Sequence, residues 1–167
     1  MDVVQMRWRF SAVTSFASFV LALWLALTPG IPVDHGAAFT CAVIFAVDAV
    51  VKWCDLRGLR RYTSLLYSLA NAVLIFSGFL FAGEPWSYIF AYLWVLDAVL
   101  KVPGVDVKWE GQFRHLFSAV NTALLGLVFI FGVRVFSSAL LSVVLGWLVL
   151  VDAYVKWKYL RGRHFVM

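Results

Sequence analysis

Three aspartates in this chain sit inside apolar runs, and each opens the same short phrase. The phrases are Asp48-Ala49-Val50-Val51-Lys52-Trp53, Asp97-Ala98-Val99-Leu100-Lys101-Val102 and Asp152-Ala153-Tyr154-Val155-Lys156-Trp157. A carboxylate and an ammonium four residues apart face each other on a helix. In apolar surroundings such a carboxylate has two uses. It can pair with cations and fix one helix against another, or it can bind and pass on protons or cations, the usual work of acids inside membrane segments. Cations one turn away keep a carboxylate ionised, which favours the structural use. A second phrase runs Arg7, Ser11, Ser15, then Arg60, Ser64, Ser68, then Arg114, Ser118, Thr122. Steps of four stay on one helix face. Small hydroxyl residues on that face let membrane helices approach closely and bond across; a hydroxyl-lined polar path is the alternative. The arginines lie at the depth of the lysines, so each aspartate can meet an Arg or a Ser of an adjoining helix. Asn71 and Asn121 are expected to bond to neighbouring helices. The lysines are expected to reach for the headgroups along their flexible stems.

The elements that position these residues follow from the apolar runs. A helix needs about 20 apolar residues to cross a bilayer. Six runs approach that length: Phe10–Thr28, Ala37–Trp53, Tyr62–Ala82, Trp86–Val102, Leu116–Val133 and Val135–Trp157. The first is longer than a signal-peptide core and no A-x-A site follows it, so it reads as a retained span. The hydrophobic fraction is 63% and the charged fraction 14%, far from the balance of soluble domains. Thirteen of the fourteen Lys and Arg residues fall on one side of the six runs, leaving Arg134 alone on the other. Positive residues beside span ends stay cytoplasmic, which places both termini inside. The expected fold is all-α: one transmembrane domain, residues 1–167, of six helices.

Each aspartate phrase ends an even run and each arginine phrase begins an odd one. The aspartates are 49 and 55 residues apart and the arginines 53 and 54. The unit is a helical hairpin used three times, over residues 7–53, 60–102 and 114–157, always starting from the cytoplasm. Parallel repeats of this kind pack most simply about a pseudo-threefold axis along the membrane normal. Three hairpins of this length, with Thr28-Pro29-Gly30-Ile31 after the first span, resemble the HdeD family of bacterial inner-membrane proteins. The resemblance implies a stress-related membrane protein without catalytic residues. That family usually carries glycine near the cytoplasmic end of its even spans, where this chain has Asp48, Asp97 and Asp152.

Other chemistry has few carriers. His35, His115 and His164 make no metal spacing, and no phosphate loop, zinc pair or nucleophile elbow is present. Cys41 and Cys54 lie about 20 Å apart along one helix and cannot bridge. No enzyme, cofactor, metal or nucleic-acid partner is expected. The expected partners are membrane lipids, with anionic headgroups at the basic face, and a larger membrane complex that this chain would serve as an accessory subunit. A small proton or cation transporter built on the aspartates is the competing function. A reporter fused to either terminus should behave as cytoplasmic and one inserted beside Glu84 as external; a periplasmic C-terminus would sink the six-span scheme.

Overall fold

The computed structural model describes residues 3–79, 84–100, 110–131 and 139–163, and among them it contains six helices and no strand. They are α1 (Val3–Leu27), α2 (His35–Trp53), α3 (Arg60–Phe76), α4 (Pro85–Val99), α5 (Glu110–Phe131) and α6 (Ala139–Arg163). Local chemistry explains their ends. After α1 the chain turns through Pro29 and Gly30, the latter at φ 88°. Asp34 then caps α2, its side chain accepting from the Ala37 N–H at 3.0 Å. His35 Nδ1 lies 3.0 Å from the Leu25 carbonyl oxygen, joining the two ends of this turn.

Several boundaries differ from the sequence expectation: α1 begins at Val3 and α5 at Glu110, ahead of the apolar runs at Phe10 and Leu116. The third apolar run was expected to continue to Ala82, but α3 stops at Phe76. Gly78 takes a left-handed φ of 97°, and the N–H groups of Gly78 and Phe79 bond back to Ile75 and Leu74 at 3.2 and 3.0 Å. Glycine carries no Cβ penalty in that conformation and ends helices this way. α6 runs on to Arg163, six residues past the expected end, because Lys158 to Arg163 contains no helix breaker stronger than Gly162. The expected turn at residues 132–134 lies outside the described residues, as does the end of the second hairpin at residues 101–102.

The chain divides into two compact units, Ser15–Val105 and Met1–Thr14 with Asp106–Met167, and the boundary between them falls within α1. In the first, α2 packs on α3 and α3 on α4. Small residues allow this: Ala38, Cys41 and Ala42 of α2 and Ala70 and Ala72 of α3 are buried. The Cys41 thiol donates to the Ala70 carbonyl at 3.3 Å, a direct helix-to-helix contact. Both cysteines are free thiols, Cys41 buried and Cys54 exposed. In the other unit α5 packs on α6, and the small stripe Ser118, Thr122 and Gly126 is buried.

The outward faces are apolar on all six helices. On α2, Phe39, Val43, Val47 and Val50 are exposed, while Asp48 and Lys52 of the same helix are buried. α4 repeats this with Tyr88, Ile89, Tyr92, Leu96 and Val99 outside and Asp97 inside. Two helices, over Gln5–Leu27 and His35–Trp53, are long and apolar enough to cross a membrane; Ser87–Val99, Leu116–Leu127 and Gly146–Val155 are shorter apolar segments.

α5 and α6 approach closely at Gly126. A Cβ there would lie 2.9 Å from the Gly146 carbonyl oxygen and 2.9 Å from Leu150 Cγ. Gly126→Ala should therefore push α5 from α6 and lower stability by about 1–3 kcal/mol, the usual cost of overpacking. Unfolding in mild detergent measures this, and an unchanged midpoint would contradict the contact.

Candidate functional site

Asp48 is the centre of a polar cluster that draws on three helices. Its side chain is fully buried. Ser15 of α1 donates its hydroxyl to Asp48 Oδ2 at 2.6 Å. Lys52, one turn further along α2, pairs with the same oxygen and donates to Ser15 Oγ at 3.1 Å. The ammonium also lies 4.8 Å from the centre of the Tyr67 ring, over its π-face. An ammonium has three N–H donors. Here a carboxylate, a hydroxyl and an aromatic face take them. Tyr67 in turn places its hydroxyl 2.9 Å from Ser18 Oγ, which ties α3 back to α1.

The lysine was expected to snorkel. Lys52 instead turns inward and is only 5% exposed. The physical reason is local: three partners replace the water that snorkelling would have reached, and a cation over an aromatic face in a dry setting gains about 2 kcal/mol.

Asp97 repeats the hydroxyl contact. Ser68 of α3 donates to Asp97 Oδ2 at 2.5 Å, and both side chains are fully buried. The Ser68 hydroxyl also lies 3.1 Å from the Ser64 carbonyl of its own helix. With a single proton to give, the shorter approach to the charged acceptor is the stronger bond. Of the Arg and Ser partners open to these aspartates, both Asp48 and Asp97 thus bond to the second serine of an odd helix. Asp152, on α6, is 1% exposed. Thr122, on α5, is buried and donates to the Ser118 carbonyl at 2.7 Å.

The arginines take other surroundings. Arg60 pairs with Asp55 in the turn between α2 and α3, and burial draws its pKa below the ordinary value. The Arg7 guanidinium lies 4.8 Å from the centre of the Trp8 ring. Ser11 is buried and its carbonyl accepts from Thr14 at 3.0 Å. Lys101 lies outside the described residues, as do the side chains of Arg114 and Lys156 on their helices. The two asparagines depart from expectation. Asn71 donates to the Tyr67 carbonyl of its own helix at 3.0 Å, the local back-bonding open to a short amide. Asn121 is buried with neither polar atom in a hydrogen bond.

Spacing alone did not reveal Tyr67. It precedes Ser68, where the other copies have Thr14 and Asn121, so no repeated pattern marks it. Yet its ring packs 4.9 Å from Phe45 and 6.2 Å from Trp94, between centroids, and joins α2, α3 and α4.

A serine 3.1 Å from a lysine also suggests an activated nucleophile. The proton arrangement points elsewhere. Ser15 gives its proton to Asp48 Oδ2 while Lys52 donates to Ser15 Oγ, so the lysine nitrogen does not face the serine proton. The cluster stores a buried charge pair and crosslinks α1, α2 and α3. Among the described residues no His, Cys, Asp and Glu group is arranged to hold a metal. No family model, curated protein or solved structure matches this chain.

The crosslink sets a stability expectation. Lys52→Met should cost about 3–5 kcal/mol, because it leaves a buried carboxylate without its cation. Adding Asp48→Asn should recover part of that loss. A double-mutant cycle by denaturation in detergent gives the coupling directly, and strictly additive losses would show that the pair is not a unit.

Proposed function

We propose that this is a non-enzymatic integral membrane protein of six transmembrane helices, with both termini cytoplasmic, serving as a structural or accessory subunit in the membrane. The observation that carries the reading is the inversion of the usual arrangement: apolar stripes face outward on every helix while Asp48, Asp97, Asp152 and Lys52 are buried. Lipid is the solvent that suits such a surface, since large exposed apolar faces are otherwise rare on soluble monomers. The buried acids are then crosslinks. Each hydroxyl–carboxylate bond joins an odd helix to an even one without needing water, and a hydrogen bond to a charged group contributes about 1.5–3 kcal/mol.

On this reading the chain is three hairpins in parallel, as in the HdeD-like architecture. Ser15 with Asp48 and Ser68 with Asp97 are equivalent bonds in the first two. The contact of Gly126 with Gly146 and Leu150 supports the third. Counting four residues in opposite directions along α5 and α6 from that contact brings Thr122 level with the turn Leu150–Tyr154, which contains Asp152.

Two measurements test the proposal. Alkaline carbonate should leave the chain in the membrane pellet; release into the supernatant would overturn the membrane assignment. Purified protein in liposomes should carry no proton or cation flux above that of empty vesicles. Flux that disappears in the Asp48→Asn, Asp97→Asn, Asp152→Asn triple variant at unchanged melting temperature would replace the structural role with transport.

A further inference from the structure

The turn between α2 and α3 is well built, yet it exposes an unusual mixture of side chains. α2 ends through Asp55, which adopts a left-handed φ of 58°, and the Leu56 N–H closes the turn on the Val51 carbonyl at 3.0 Å. The Leu59 N–H then bonds to the Leu56 carbonyl at 3.1 Å. This fixed backbone leaves Trp53, Leu56, Leu59 and Tyr62 exposed. Between them in sequence stands Arg57, its side chain 84% exposed and its Nε 3.5 Å from Asp55 Oδ2, a solvent-exposed ion pair. Asp55 is the one acid of the turn, and Arg57 and the more buried Arg60 share it. Lys52 is likewise committed, to Asp48. One carboxylate between two arginines leaves the turn net positive, and Arg57 is its exposed cation, with Arg61 half-buried beside it in sequence.

We propose that this turn binds the headgroup of an anionic phospholipid, with Arg57 on the phosphate. The inference rests on the membrane reading above and adds a location and a partner to it. A planar guanidinium matches a phosphate with two parallel hydrogen bonds. Trp and Tyr rings settle at the depth of the headgroups, and exposed Trp53 and Tyr62 stand on either side of the arginine in sequence, while Leu56 and Leu59 supply apolar contact for the upper acyl chain. A zwitterionic headgroup brings its own cation to compete with Arg57. A net anionic headgroup does not, so the site selects by charge.

Cys54 gives a local readout, because it is exposed beside Trp53 while Cys41 is buried. The full chain, labelled at Cys54 with a fluorophore, is placed in phosphatidylcholine nanodiscs containing a phosphatidylglycerol with a quencher on its headgroup. Unlabelled phosphatidylglycerol should relieve the quenching at lower mole fraction than phosphatidylcholine. Arg57→Gln should reduce that selectivity about fivefold, the effect of one basic side chain at an anionic surface, and Arg57→Lys should keep most of it. Selectivity unchanged in Arg57→Gln overturns the site. Relief by millimolar glycerol phosphate in the aqueous phase overturns the lipid as its ligand and assigns a soluble phosphate instead. A labelled chain that carbonate strips from membranes brings down the membrane reading itself, a result distinct from loss of selectivity in a chain that stays embedded.

Discussion

A charged carboxylate that cannot reach water must be met by fixed donors, and much of this molecule is arranged around that constraint. Asp48 needs a hydrogen-bond donor from another helix and a cation of its own, and it has Ser15 and Lys52. Satisfying the lysine then requires a hydroxyl and an aromatic face, which brings Tyr67 of α3 into the same cluster. One buried charge thus fixes the relative placement of three helices. On the membrane reading, apolar packing alone would do this poorly, because hydrocarbon contacts between helices gain little over hydrocarbon contacts with lipid.

The remaining packing answers to the same demand for close approach. Hydroxyls have short reach, so the backbones carrying Ser15 and Asp48, or Ser68 and Asp97, must lie near each other. Alanines and the thiol of Cys41 line the α2–α3 contact for this reason. Gly126 does the equivalent work against α6. Side-chain bulk is displaced to the outside, where Phe16, Phe39, Tyr92 and Trp147 are exposed. Phe45 and Trp94 are exceptions, both buried and packed against Tyr67.

Much of this was legible in the residues. The step of four between hydroxyls marked the faces that became buried, and the recurrence of the aspartate phrase marked the acids that turned inward. The class of the elements followed from the length of the apolar runs. Three things were not legible. The inward turn of Lys52 depends on Tyr67, which sits on another helix and has no counterpart in the repeats. The early end of α3 depends on the backbone conformation of Gly78, and a glycine within an apolar run reads equally well as a tolerated helix residue. Asn71 chose its own helix because an amide four residues from a carbonyl needs no neighbour.

The stop at Gly78 has a mechanical consequence. α3 has 17 residues and α4, as Pro85–Val99, has 15, which at 1.5 Å per residue gives lengths of about 25 and 22 Å. α1, with 25 residues, reaches about 37 Å. On the membrane reading the first hairpin matches or exceeds a hydrocarbon layer of about 30 Å while the second falls short of it. Acyl chains beside α3 and α4 would then be compressed, while α2 and the apolar part of α1 beyond Arg9 match the layer. Such hydrophobic mismatch costs a fraction of a kcal/mol per Å and biases proteins toward membranes of suitable thickness. The second hairpin would carry a collar of thinned bilayer, a lateral elastic field through which the protein selects its lipid neighbourhood without a specific contact.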